Sequence, residues 1–554
     1  MQVQRVGAVV LGVGGVAAVR SPDGSVTECA DPAEAAAAMT EGTRWVTWSA
    51  EAIAPLVTAR APLDRTWDLA EAHRLLHGGW AADPTLVWAA AHGLDPSAAP
   101  SVPTGDLFDL LAEETPAEEL LVDGHLRGDA ATGAWLTTAG RCATFAAAAL
   151  EVARIQHEAL SARGPRAVST ARAESAAAVL CVELEQEGLP IDRAAARELV
   201  TDAAGPEPRT IEEELAAREV RDRPVLAAVP GIGSVDLRNP AAVKTLLSRA
   251  GVEVPSTRRH VLEANAGAHP VVPALLEWRR RERIATTYGW RWLREHVGTD
   301  DRLRGRWAAC DGAAGRMTAQ AGLHNLPAEL RPAVAADAGW VFVRADLGQV
   351  EPRVLAAVSG DRAFAAATRA DDLYAPVAQH LGVERAIAKV AVLAAMYGQR
   401  SGQAAEALRG LERAYPVAMD HLQRAQEAGR RGETVRTFGG RLVPTDFPGS
   451  SEASPETLAA ARGRFARNAV IQGSAAELFK AWAATVRVAV RPLRGRIVLC
   501  LHDELLVHVP AEHADETAAV VDRALGDAAR RWLGSEEVHF VADTSVVRRW
   551  SEAT

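Results

Sequence analysis

Lysine is almost missing from this chain: of 61 Lys and Arg residues in 554, only Lys244, Lys389 and Lys480 are lysines. Arginine serves nearly everywhere a cation is wanted. A retained lysine therefore marks either chance survival or a place where a compact ammonium on a flexible stem differs in use from a planar fork. Cysteine is also sparse. Cys29, Cys142, Cys181, Cys310 and Cys500 are far apart and odd in number, which argues against a disulfide framework or a zinc cage and fits a reducing cytoplasm. Long apolar runs are missing too. The longest, Val6 to Val19, is broken by four glycines and falls short of the ~18–20 residues a membrane span needs. Arg5 precedes that run but no plausible cleavage site follows it, so no signal peptide is expected.

Hydrophobic residues make up 48% and charged residues 24%, an ordinary globular balance. The length suggests about three to five domains. The formal net charge of −10 speaks against a nucleic-acid partner until it is divided along the chain. Residues 1–150 carry 8 Arg, no Lys and 19 acids, a net of 8 − 19 = −11. The remaining 404 residues carry 53 basic and 52 acidic groups, a net of +1. Within them, Glu277 to Arg316 has ten Arg against six acids, and Arg430 to Arg467 has seven against four. Such stretches suit a phosphate backbone or form a solvated helix face.

Residues 5–29 read as strand, turn, strand. Gly12-Val13-Gly14-Gly15-Val16-Ala17 matches a dinucleotide fingerprint, but that fingerprint must open a helix and Pro22-Asp23-Gly24 arrives too soon. No nucleotide fold is expected there. Residues 31–165 are Ala-rich and read as mostly helical, with a loop at Pro96 to Pro103. Ala171 to Ala203 reads as an amphipathic helix broken at Gly188-Leu189-Pro190-Ile191-Asp192, and further helices follow to residue 300. Strand-like runs then appear at Trp340 to Arg344, Arg496 to Leu501 and Leu505 to Pro510.

Three patterns carry chemistry. The run from Trp340 delivers Asp346 at a strand end, and His502-Asp503-Glu504 sits in a hairpin turn. Carboxylates from two such segments could clamp a pair of metal ions for phosphoryl transfer; a helix cap and a solvated turn are the plainer reading. Second, Arg385, Lys389, Leu393 and Tyr397 recur every four residues on one helix face. Two cations there suit the separate phosphates of a triphosphate. Third, Arg464, Asn468 and Gln472 form a ladder of donors able to reach minor-groove acceptors, or an ordinary polar face.

Taken in order, these segments resemble the family A (polymerase I-like) DNA polymerases over roughly residues 170–554. Asp346-Leu347-Gly348-Gln349-Val350-Glu351-Pro352-Arg353 resembles the first palm motif, Arg385 to Gly398 the fingers helix, and His502-Asp503-Glu504 the last palm motif. Gly315 to Thr318, His324 to Pro327, Thr437 to Arg441, the Arg464–Gln472 segment, Glu185 to Asp192 and Asn239 to Leu247 add to the match. The resemblance implies an α+β multidomain chain, a right-hand polymerase with an antiparallel palm sheet and helical fingers and thumb. It would be preceded by an α/β RNase H-like exonuclease-type domain. The boundaries it suggests are 1–165 for that domain, 166–300 for the thumb and palm entry, 301–358 and 446–554 for the palm, and 359–445 for the fingers.

The same resemblance implies roles. Two Mg²⁺ ions, with Mn²⁺ as a substitute, would be held by Asp346, the Leu347 carbonyl and Asp503, with Glu504 accessory. Arg385 and Lys389 would grip the triphosphate, Lys389 also protonating the leaving group. Gln349, Leu393, Tyr397 and Glu351 would frame the nucleotide, Glu351 blocking a ribose 2′-hydroxyl. Arg316, Asn325, Arg441, Arg464, Asn468, Gln472 and His502 would contact primer–template DNA. A monomer in the cytoplasm, acting on nucleoid DNA in replication or repair, is expected. Leu393 stands where the family has an aromatic, Tyr374 replaces a His, and Leu347-Gly348 replaces Tyr-Ser. The nuclease D-x-E is missing from Val9-Val10-Leu11-Gly12, and the late Tyr-x₃-Asp is missing from Cys142 to Leu150. No proofreading is therefore expected, and the chain is too short for a 5′-nuclease as well. A catalytically impaired DNA-binding protein and a metal-dependent phosphodiesterase are the alternative readings.

Overall fold

A computed structural model describes residues 5–100, 119–233, 235–311, 314–398, 404–446, 454–534 and 536–553, with backbone alone at 404–405. The end of the loop expected at Pro96 to Pro103 lies outside these residues. The chain divides into two compact units. The first comprises Met1–Glu187, Arg306–Ala319 and Gly339–Val546, and the second Gly188–Gly305, Gln320–Ala338 and Val547–Thr554.

The first unit begins with strands β1 (Val6–Leu11), β2 (Ala17–Arg20), β3 (Val26–Cys29), β4 (Arg44–Thr47) and β5 (Thr66–Asp68), in the order β3-β2-β1-β4-β5. The first three are antiparallel, whereas β1, β4 and β5 run parallel. This mixed order is the α/β RNase H-like arrangement that the resemblance implies. Gly12 to Gly15 form a single tight turn into β2, with Gly14 at φ 73°. The rejected dinucleotide fingerprint is a turn. β4 and β5 fall in the stretch read as helical; at four and three residues they are too short to show a period of two amid alanine. Helix Ala139–Ser161 covers the sheet, and Trp48 stacks on its Phe145 at 4.6 Å. Helix Pro165–Glu187 follows and is largely buried. It ends at Gly188, φ 69°, where the sequence pattern breaks.

A second sheet of the same unit supports the site. Its strands lie in the order Arg496–Leu501, Glu504–Pro510, Trp340–Leu347, Ala542–Val547. The first three are antiparallel neighbours. Phe342, Val343, Ala345, Leu499, Cys500, Leu505, Leu506 and Val507 are buried, which explains why these three strands read as buried runs. The edge strand Ala542–Val547 is half exposed and went unread in the sequence. The 35-residue helix Pro455–Ala489 starts at a Ser454 cap that accepts from the Thr457 N–H. Helix Arg385–Tyr397 stops at Gly398 in the left-handed conformation, φ 69°.

The second unit is mainly helical around a core that includes Val225, Leu246, Leu262, Val272, Leu275 and Trp278. Much of the basic run from Glu277 is paired locally: Arg280 and Arg281 with Glu277, Arg291 with Glu295, and Arg294 with Glu207. That run is in good part a solvated, self-neutralised face. Among the described residues no helix is long and apolar enough to cross a membrane.

Candidate active site

Asp346 sits near the end of its strand, directly opposite Glu504 on the neighbouring strand. Leu501 pairs with Glu504, so His502 and Asp503 form a two-residue connection, with His502 at φ 54°. The Leu347 N–H donates to the Asp503 carbonyl at 2.9 Å, tying the strand end to the turn. The two aspartates that the sequence placed 157 positions apart (503 − 346) thus meet at one end of the sheet. Burial, then the Asp503 charge, pushes the Asp346 carboxyl up to about 6. Asp503 is raised as well, by burial and by Glu351 and Glu504, with Arg316 opposing. Burial and repulsion from neighbouring carboxylates both disfavour the charged forms of the two, with Arg344 opposing at Asp346.

Beside them lies a cavity of about 180 Å³ lined by Arg316, Leu347, Gln349, Glu351, Tyr374, Leu393, Gln472, His502 and Asp503, among others. It brings together three separate sequence patterns: the strand end, the cationic helix and the polar ladder. Glu351 is clamped there, accepting from Arg316 at 2.8 Å and from the Tyr397 hydroxyl at 3.3 Å. Leu393 lines the same space from helix Arg385–Tyr397, while Lys389 and Arg385 lie exposed further toward its N-terminus. Arg385 is paired with Asp372 at 2.5 Å, and its guanidinium lies 5.9 Å from the buried Tyr374 ring. Gln349, at φ 53°, donates to Asp372 and accepts from the Leu373 N–H, so both ends of its amide serve the loop beneath the cavity.

In the ladder, Arg464 is exposed, Asn468 is half-buried and Gln472 reaches the cavity. The buried Asn468 Oδ1 has no hydrogen-bond partner among the described residues. Asn325 is exposed in the second unit, where its carbonyl accepts from Tyr288 and Arg283. Arg441 departs from expectation. Read as a DNA contact, it is 2% exposed and bonded to the fully buried Glu174 at 2.6 Å, which also holds Lys480 at 2.5 Å. Its charge is needed inside, because a buried carboxylate shared by two cations would be costly without them. The Thr437–Arg441 segment is therefore an internal lock: Thr437 and the Gly439 N–H donate to Glu477, and the Phe438 N–H donates to Ser474. A side chain at Gly439 would place its Cβ 2.5 Å from Glu477, and one at Gly473 would strike Thr437 at 2.5 Å. Both glycines are required by close approach.

The sequence reading missed four residues. Arg344, two residues before Asp346, bonds Asp346 at 3.0 Å and Glu504 at 2.8 Å. Asp372 anchors Arg385 and Gln349, and Arg467 caps helix Arg385–Tyr397 by donating to the Ala395 carbonyl at 2.6 Å. Arg353 is fully buried and donates to five carbonyls, those of Gly348, Thr368, His539, Ala370 and Asp371. An Arg inside an otherwise apolar strand was the one available signal for Arg344.

Among the described residues no group of three or more His, Cys, Asp or Glu forms a metal cage. Two converging carboxylates with hard oxygen donors nevertheless fit Mg²⁺, which is commonly held by one or two carboxylates together with substrate phosphates. The donor set suits such an ion.

A sequence profile of DNA polymerase family A matches residues 236–552. The chain belongs to that family. Among its relatives are the thermostable DNA polymerase I of Thermus filiformis, 29% identical over 327 residues, and the DNA polymerase I of Chloroflexus aurantiacus, 32% identical over 299. These alignments cover 54% and 48% of this chain but only 38% and 31% of the relatives, so the match spans under two fifths of their length. In fold, the chain is similar to the POL domain of Pol1 from M. smegmatis, solved in complex with DNA primer-template and dNTP. The TM-score is 0.67 at 20% identity, covering 100% of this chain and 96% of that one. The architecture is that of a right-hand polymerase.

Proposed function

We propose that this chain is a template-directed DNA polymerase that adds deoxynucleotides to a primer 3′-hydroxyl, without proofreading. The observation that carries the reading is the convergence of Asp346 and Asp503 beside a cavity walled by Leu393 and the clamped Glu351. Relatives named DNA polymerase I support it, as does the neighbour solved with primer-template and dNTP. Asp346, Asp503 and the Leu347 carbonyl would hold two Mg²⁺ ions, or Mn²⁺ in their place, with Glu504 accessory. When bound, the metals supply Lewis-acid activation of the attacking hydroxyl and charge neutralisation at the phosphates.

The remaining roles belong to the chain's own side chains. Lys389 presents an exposed ammonium one helical turn from Arg385, a spacing suited to two phosphates of one triphosphate. Arg385 must exchange its bond to Asp372 for a phosphate to take part. Glu351, fixed on both sides, stands as the steric and acidic barrier to a ribose 2′-hydroxyl. Gln472, His502 and Arg316 at the cavity, with Arg464 and Asn468 along the ladder, would hold the primer end and minor groove. Asn325 would add a contact from the second unit; Arg441 is left out of the set. A monomer acting on nucleoid DNA in the cytoplasm completes the reading.

The absence of proofreading is supported by what fills the end of β1. A Cβ at Gly12 would lie 2.1 Å from the Leu136 carbonyl oxygen and 2.8 Å from the Cys142 sulfur. No acidic side chain fits there. Primer extension with dNTPs and Mg²⁺, comparing wild type with Asp503→Ala, tests the proposal. Extension by the wild type that is lost in the variant supports it. Extension that survives, or none by the wild type at any metal concentration, sinks it, the latter favouring the impaired DNA-binding alternative.

A further inference from the structure

Arg344 stands on the same face of its strand as Asp346, because side chains two apart on a strand share a face. Its side chain is 11% exposed and makes three ion pairs: to Glu504 at 2.8 Å, to Asp346 Oδ2 at 3.0 Å and to Asp543 at 3.2 Å. Asp543, on the neighbouring edge strand, is well exposed, so the two inner carboxylates are the tight partners. One oxygen of Asp346 is thereby engaged by a fixed cation, as is Glu504. Asp503, by contrast, has no side-chain ion pair among the described residues.

We infer that Arg344 is a resident cation that competes with divalent metal for Asp346 and holds Glu504 in place, so that metal binds this site weakly until substrate phosphates arrive. The inference rests on the two-carboxylate reading of the site. Its basis is electrostatic. A guanidinium bonded to a carboxylate satisfies the lone pairs a metal would use, and its charge repels a divalent ion a few ångströms away. At about 6 Å the repulsion in a water-like dielectric corresponds to roughly tenfold in affinity, and more where solvent is excluded. Substrate phosphates bring negative charge and oxygen ligands of their own, which offset that repulsion. Arg344 is thus a positioning residue acting through Asp346 and Glu504, and it would make metal loading depend on the nucleotide.

The sign of the effect separates this from a merely structural role. If Arg344 only braced Asp346, removing it would loosen the carboxylate and weaken metal binding. If it competes, removing its charge strengthens metal binding. The test is Mn²⁺ binding to the full, DNA-free protein, followed by the electron-paramagnetic signal of free Mn²⁺, for wild type, Arg344→Gln, Arg344→Lys and Asp346→Asn. Thermal unfolding of each variant establishes that it is folded. Arg344→Gln is expected to bind Mn²⁺ about tenfold more tightly than wild type, with Arg344→Lys between them because it keeps the charge and loses the fork. Addition of a dNTP should narrow the difference between wild type and Arg344→Gln. Folded Arg344→Gln that binds Mn²⁺ equally or more weakly overturns the inference while Asp346→Asn still loses binding, leaving the metal-site reading intact. Binding unchanged in Asp346→Asn overturns the metal-site reading and the inference with it. Should Arg344→Gln fail to fold, Arg344→Lys decides alone: tighter binding supports competition, unchanged or weaker binding overturns it.

Discussion

At the scale of single residues, Leu393 is the departure with the clearest consequence. It lines the cavity where the family resemblance calls for an aromatic ring. A ring there would gain stacking on a base or sugar that an aliphatic chain does not supply, about 0.5–1.5 kcal/mol. Leu393→Phe is therefore expected to lower the KM for dNTPs by roughly three- to tenfold with little change in kcat. Steady-state kinetics on a fixed primer–template checks this, and an unchanged KM would mean that Leu393 does not face the nucleotide. The aspartates were legible at this scale because each closes a recognisable strand or turn. Arg344, Asp372 and Asp543 were not, because what defines them is a partner on another element: Asp372 is 13 positions from Arg385, and Asp543 is 199 from Arg344. Local patterns carry no such pairing.

At the scale of elements, the helices Pro165–Glu187 and Pro455–Ala489 are joined by buried charge. Glu174 on the first pairs with Lys480 on the second and with Arg441 from the turn between the short strands Val435–Arg436 and Leu442–Val443. Motif reading assigned Arg441 to DNA because it saw a cation in a family segment; burial is a tertiary property and leaves no local trace in a Gly-rich turn. Glu174→Gln would leave two interior cations without a carboxylate and should cost about 3–5 kcal/mol, read as a lowered denaturant midpoint. A change within experimental error would contradict the network's importance. Glu477 gives a second, pH-dependent test. Burial pushes its carboxyl from 4.5 to about 7. The folded state then holds a proton that the unfolded state has lost across that window, so stability falls as pH rises from about 4.5 to 7. Glu477→Gln should flatten that slope, removing on the order of 3 kcal/mol of pH dependence. An unaltered slope would place the titration elsewhere.

At the scale of the whole molecule, the division of charge acquires a structural meaning. The acidic first 150 residues build the RNase H-like sheet and its helices, and the nearly neutral remainder carries the palm sheet, the cavity and the mainly helical second unit. The α+β plan was readable from the order of strand and helix patterns together with the family motifs. The short parallel strands β4 and β5 and the edge strand Ala542–Val547 were not, since none is long enough or alternates cleanly enough to stand out from its surroundings. With Gly12 packed against Leu136 and Cys142, the first sheet should not degrade DNA. End-labelled single-stranded DNA, and a primer with a 3′ mismatch, should stay full length with Mg²⁺ and no dNTP; stepwise shortening that persists in the Asp503→Ala protein would show a nuclease in this unit.

In the proposed reaction Asp346 and Asp503 serve template-directed nucleotide addition. That role is tested most directly by offering each dNTP singly to a primer on four templates that differ in the next base, with wild type and Asp503→Ala in parallel. Wild type should extend only with the complementary nucleotide, and the variant should lose roughly 10³-fold or more of the rate. Extension that ignores the template base, or that continues undiminished without Asp503, would contradict it.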